Sequence, residues 1–162
     1  MKHKLQSTNG LNAAGVGPKL FLFAIPGLLA GIILGISGQS YSQWAKFTTP
    51  FLVYGGLALL AIGIIVYVFA LIQFLNQFRK GVLITTGVYA MSRNPIYASW
   101  ILFILPGLSL MCNNWAFFLA AVCMYIGLII LIKKEEKQLY QVFGQQYEHY
   151  KMNVGRVGFL SV

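Results

Sequence analysis

Three stretches of this chain contain no Asp, Glu, Lys, Arg or His: Leu20–Ala45, Phe47–Phe78 and Asn94–Ile132. Crossing the hydrocarbon core of a bilayer takes a helix of about 20 apolar residues. The first stretch holds one span, roughly Leu20–Ser37, and the second holds another, roughly Pro50–Leu75. The third, at 39 residues, is too long for one helix and suits two. Its break is expected at Cys112-Asn113-Asn114, a polar tight turn. Pro106-Gly107 is expected to kink the third span or to end it early. Only 9% of the residues are charged, against about 25% in soluble domains, so a soluble fold is excluded. The expectation is an all-α integral membrane protein with about four transmembrane helices. As a single domain, residues 1–162 divide into a tail (1–19), two spans (20–75), a loop (76–97), a helical hairpin (98–132) and a C-terminal helix and tail (133–162).

The charges set the orientation. Eleven of the twelve basic residues fall in the N-terminal tail, the loop after the second span, and the C-terminal segment; Lys46 alone falls between the first two spans. Short loops rich in Lys and Arg stay in the cytoplasm. Both termini and the 76–97 loop are therefore expected on that side of a multi-pass protein. The net charge of +9 is then a property of topology and of anionic lipid attraction, not a nucleic-acid footprint. Cys112 and Cys123, with His3 and His149 far from them in the chain, assemble no metal set.

Polar groups that a membrane enzyme would need gather in two places. The first is the loop. Leu83-Ile84-Thr85-Thr86-Gly87 reads as a short extended piece ending in a turn. Asn94-Pro95 reads as a helix start, with Asn at the N-cap and Pro at the first helical position. Free N–H groups at such a terminus, with Arg93 just before it, favour an anion. Tyr89 and Tyr97 offer rings for a purine or a cation. The second place is KKEEKQLYQVFGQQYEHYK. There Leu139, Val142, Phe143, Tyr147 and Tyr150 recur at helical spacing, and Glu135 and Glu136 border that face. Lys133 and Lys137 are placed to pair with the two glutamates, and Gly144 to bend or break the helix. The same residues also suit a plainer reading: an interfacial arginine, an aromatic belt and a solvated helix end.

Taken in order, Leu83-x-Thr85-x-Gly87-x-Tyr89, Arg93-Asn94-Pro95-x-Tyr97, Glu135-Glu136-x-x-Leu139 and Phe143-Gly144-x-x-Tyr147-x-x-Tyr150 resemble the isoprenylcysteine carboxyl methyltransferases and their bacterial and archaeal relatives. Phospholipid N-methyltransferases are more distant kin. The resemblance covers about residues 81–156. It implies S-adenosylmethionine as cofactor, with S-adenosylhomocysteine as product, bound at the cytoplasmic face under a lid made by the C-terminal segment. It places that cofactor against Val82, Leu83, Ile84, Tyr89, Asn94, Pro95, Ile96, Tyr97 and Glu135. Methyl transfer by in-line displacement depends mostly on alignment and a dry, fixed electrostatic setting. Arg93 and Glu136 are the candidate catalytic residues: Arg93 as a positive charge, Glu136 as proton acceptor for an amine or thiol nucleophile. A lipidic or amphipathic substrate is expected to enter sideways from the bilayer near Trp100.

The sequence departs from the family pattern most at Leu131, where members often carry an arginine that faces a substrate carboxylate. Asn94 stands where many have His, and Arg156 lacks a following proline. Two other readings stand beside the methyltransferase: an NADPH-dependent reductase of the sterol-reductase kind, and a non-catalytic membrane protein that keeps the scaffold.

Overall fold

The computed structural model describes residues 16–36, 49–78 and 80–158. The expected tail up to residue 15, the segment around Lys46, and Arg79 lie outside the described residues. The rest is helical: α1 (Gly17–Ile36), α2 (Thr49–Phe78), α3 (Pro95–Met111), α4 (Ala116–Phe143) and α5 (Gln145–Asn153). A one-turn 3-10 helix, Gly87–Ala90, interrupts the loop between α2 and α3. α1, α2 and α4 are each long and apolar enough to cross a membrane, and α3 is a shorter apolar helix. This is an all-α integral membrane fold.

The helices form two intimate pairs, α1 with α4 and α2 with α3, joined where α3 meets α4. Small residues make the close approaches. A Cβ on Gly27 of α1 would collide with the backbone of Ala120 in α4. Gly56 and Gly107 face one another across α2 and α3, where a Cβ on Gly107 would lie 2.9 Å from both Gly56 O and Leu60 N. In lipid, where apolar side chains gain little by leaving their surroundings, such backbone proximity supplies the packing. Leu20, Ala24, Ile101, Leu105, Met124, Leu128 and Ile132 bury a core shared by α1, α3 and α4. Phe51, Ile62, Ile65 and Phe69 of α2 instead face outward, as lipid-covered residues do.

Pro106 does not end α3 early. Lacking an N–H, it cannot bond the carbonyl four residues before it. The helix widens ahead of it into a π turn, Trp100–Ile104, in which the Leu105 N–H reaches back to Trp100 O. It then runs on to Met111. The hairpin turn falls at Cys112–Trp115, where Asn113 takes a left-handed conformation (φ 47°). Asn114 fixes it: its Nδ2 donates to Gly31 O (2.7 Å), and its Oδ1 accepts from Ala116 N (3.1 Å).

The boundary expected at Lys133 is not an element boundary. α4 continues unbroken for 28 residues, about 42 Å at 1.5 Å per residue, which exceeds a hydrocarbon core of about 30 Å. Its apolar run ends at Ile132, so the turns carrying Lys133, Lys134, Glu135, Glu136 and Lys137 project beyond the membrane-spanning part. The break comes at Gly144 (φ 54°, ψ −128°), a conformation open essentially to glycine alone. There the chain turns and α5 folds back toward the α2–α3 loop.

Candidate functional site

The fold-back encloses a cavity of about 420 Å³ at the loop end of the helices, within the range of small-molecule sites. Gly17, Pro18 and Phe21 of α1 and Tyr67, Leu71 and Phe74 of α2 form one side. The loop gives Gly81 to Ile84 and Tyr89; α3 and the residues before it give Arg93 to Tyr97. From α4 come Ile132, Glu135, Glu136, Leu139, Val142 and Phe143, and from α5 Tyr147 and Tyr150. Val82, Leu83, Ile84, Tyr89, Arg93, Asn94, Pro95, Ile96, Tyr97, Glu135 and Glu136, distributed over 55 residues of chain, thus line one space. Trp100 does not line it. Its ring stands behind the wall, edge-on to Phe21 (centroids 5.0 Å) and Tyr67 (6.1 Å).

The loop is held from three directions. Gln73 of α2 donates to Thr86 O (2.7 Å), beside Gly87, whose φ of 62° and contact with Gln73 leave no room for a side chain. Residues 82–85 are irregular rather than a paired strand. Tyr150 of α5 donates its hydroxyl to Tyr89 O (2.6 Å). The tail after α5 pairs with the loop: Arg93 N donates to Gly155 O (2.9 Å), and Ser92 Oγ (2.9 Å) and Asn94 Nδ2 (3.2 Å) both donate to Arg156 O. Asn94 does stand at the N-cap of α3, and Pro95 is its first residue. The expected capping bond is absent, because the Asn94 side chain is spent on the tail.

Two adjacent glutamates have opposite settings. Glu136 is clasped by two arginines. Arg93 Nη1 lies 2.8 Å from its Oε1, and Arg156 donates through Nε (2.9 Å) and Nη2 (2.8 Å) to its two oxygens. Burial pushes its carboxyl up, but the Arg156 bond and the charges of Arg93 and Arg156 outweigh that and hold it below its ordinary value. A carboxylate so stabilised is a poor proton acceptor, which corrects the expectation placed on Glu136. Arg93, only 7% exposed, is likewise committed to this pair and to Tyr147 Oη (3.4 Å). Glu136 shares its one negative charge between Arg93 and Arg156, and Arg93 Nε has no partner among the described residues. Burial pushes the Tyr147 hydroxyl up to about 12, so it stays neutral.

Glu135 has no basic partner among the described residues. One N–H, from Val16 at the start of α1, reaches its Oε2 at 3.3 Å. Burial raises its pKa, opposed by that bond and assisted by the charge of Glu136. An ionised carboxylate can accept about four hydrogen bonds, so Glu135 keeps capacity to spare for a donor in the cavity. Lys133 and Lys137, expected to pair with the glutamates, are exposed and form no ion pair among the described residues. Leu131 does not line the cavity; Ile132 does. No lysine lines it either, and no group of three or more His, Cys, Asp or Glu capable of holding a metal occurs among the described residues.

Sequence reasoning noted Arg156 only as part of the tail pattern, left out Ser92 and Gln73, and gave no role to Phe21 and Tyr67. For Arg156 a signal was present: a helix-breaking glycine twelve residues earlier allows the tail to return to the loop. The aromatic residues of the first two spans carry no such mark.

Comparison with known proteins gives a match to the family model described as phospholipid methyltransferase, over residues 51–146. That segment is more than half of the chain and runs from α2 to the start of α5. No curated protein and no solved structure matches.

Proposed function

We propose that this chain, which belongs to the phospholipid methyltransferase family, transfers a methyl group from S-adenosylmethionine to the amine of an amphipathic, bilayer-resident acceptor. The observation that carries this reading is Glu135: a half-buried carboxylate lining the cavity that has, among the described residues, one N–H partner and no cation. Such a group, among the rings of Tyr89, Tyr97 and Phe143, suits a ligand bearing ammonium or sulfonium charge. The cavity also has the size of a small-molecule site, so the residues fit the cofactor. When bound, S-adenosylmethionine supplies a methyl group on a positively charged sulfur.

Transfer would be to the neutral amine, its ammonium proton given up to water before the site closes, leaving S-adenosylhomocysteine and a methylated ammonium. The chain's own residues would do the rest by positioning. Asn94 to Tyr97 and Val82 to Ile84 wall the cofactor; Glu135 accepts from its amino group or ribose. The Arg93–Glu136–Arg156 cluster keeps α5 and the tail closed over the cavity, which excludes water and fixes the alignment on which displacement depends. The positive-inside rule puts this closed end, and both termini, in the cytoplasm. The acceptor would arrive between α1 and α2, which scarcely touch one another although both line the cavity.

An amine is favoured over a carboxylate acceptor by the charge balance. Among the described residues, Leu131 lies off the cavity, Lys133 and Lys134 are exposed, and Arg93, the one cation of the lining, faces two carboxylates, Glu135 and Glu136. The test is methyl transfer from labelled S-adenosylmethionine to dioleoylphosphatidylethanolamine and, separately, to farnesylcysteine in mixed micelles. Labelled N-methyl lipid is expected. A base-labile methyl ester on farnesylcysteine, with no lipid product, would overturn the amine reading.

A further inference from the structure

Trp100 carries a polar atom that none of the described residues uses. Its Nε1–H is enclosed and has no hydrogen-bond partner among the described residues. A buried indole N–H ordinarily finds an acceptor, and one that does not calls for an explanation. The ring is gripped edge-on by Phe21 of α1 at an interplanar angle of 89° and by Tyr67 of α2 at 88°. Both gripping rings line the cavity. They come from the two helices that scarcely touch, so the clasp spans the place where the cavity's membrane-facing walls part. Trp100 also opens the π turn, its carbonyl taking the Leu105 N–H, and π turns concentrate at functional sites. Phe21 is 38% exposed, so that side of the clasp opens on the surroundings of the fold.

We infer that the Trp100 Nε1–H is a specificity-determining donor that binds a carbonyl oxygen of the acceptor, the ester or amide oxygen just below its headgroup. The inference rests on the proposal of a bilayer-resident acceptor. Around the indole N–H the clasp brings the Phe21 and Tyr67 rings, the neutral Tyr67 hydroxyl and, among the described residues, no cation, so it suits a neutral oxygen rather than a phosphate. The carbonyl anchors the amphipath at a fixed depth while its headgroup reaches the cavity.

The test uses dioleoylphosphatidylethanolamine and its diether counterpart, which lacks both carbonyls. In Trp100→Phe the KM for the diester should rise about fivefold, the worth of one hydrogen bond, with kcat and S-adenosylmethionine affinity unchanged. The diether should give the same KM with either protein. A diester KM unaltered by the substitution overturns the inference. A second readout is independent of turnover. The chain has three tryptophans, Trp44, Trp100 and Trp115. In a Trp44→Phe/Trp115→Phe background, the indole N–H band in ultraviolet resonance Raman spectra should shift when diether nanodiscs are replaced by diester ones. No shift overturns the inference whether or not methyl transfer occurs. A shift without methyl transfer keeps the donor and sinks the proposed acceptor instead.

Discussion

Replacing Glu136 by Gln separates a structural clasp from a proton acceptor. The substitution keeps the shape and removes the charge that two arginines share. Arg93 is 7% exposed and Arg156 17%, and one of Arg93's N–H groups, Nε, already lacks a partner. Removing one member of a buried ion pair costs about 3–5 kcal/mol. The partial exposure of Arg156 and the surviving amide oxygen put this site at the low end, about 3 kcal/mol. At 1.36 kcal/mol per tenfold, that is roughly a 150-fold shift toward an open C-terminal segment. Hydrogen exchange by mass spectrometry reads it directly: amides of residues 145–157 should exchange about two orders of magnitude faster, while those of the α2–α3 crossing stay as they were. Cofactor affinity should fall with the loss of closure. Arg156→Ala should do the same, and the double variant should cost much less than the sum of the two. Exchange unchanged in Glu136→Gln, with kcat alone depressed, would refute the clasp and restore the role of proton acceptor.

The same cluster sets a pH limit. The folded pKa of Glu136 is lowered, so its stabilisation is complete above its ordinary value of 4.5 and is lost as pH falls through the folded value; the protection of amides in 145–157, with the intrinsic pH dependence of exchange divided out, should be flat from pH 7 to 5 and fall only in stronger acid. Glu135 is shifted the other way. A cationic cofactor should bind the ionised form better, so its affinity should rise as pH is raised through the folded value of Glu135 and level off above it, read by calorimetry. Gly107→Ala drives a Cβ to 2.9 Å from two backbone atoms of α2 and should destabilise by about 1–3 kcal/mol, seen as a lower Tm in detergent; an unchanged Tm would contradict the close crossing. Gly144→Ala places a Cβ in a strained region at a cost of about 1–3 kcal/mol, and should weaken cofactor binding without changing the helical content of the spans.

The spans were legible because their signal is local and one-dimensional. Runs without charge mark Leu20, Pro50 and Ile132 as near span ends, and two asparagines mark the hairpin turn. The loop residues were legible as a pattern, Arg93 to Tyr97 with Glu135, and the fold brings them to one cavity. Pairwise choices were not legible. Lys133 stands three residues before Glu136 and Lys137 directly after it, yet Glu136 takes Arg93 and Arg156 because the chain reverses at Gly144 and the tail returns to Ser92. Asn94 looks like a cap in any local reading; only the returning carbonyl of Arg156 diverts it. The π turn at Trp100 follows from Pro106 six residues later, a consequence of one missing N–H that composition and periodicity do not register. Helix continuity through Lys133 was hidden for a related reason: charge marks where the membrane ends, not where the helix does.

The central claim is that the cavity walled by Tyr97, Asn94 and Glu135 holds S-adenosylmethionine. The most direct test is isothermal titration of the detergent-solubilised protein with S-adenosylmethionine and S-adenosylhomocysteine, with NADPH as control. Saturable binding of the methionine-derived pair, lost in Glu135→Gln and absent for NADPH, is the expected result. NADPH binding in their place, or no binding of any of the three, would contradict it.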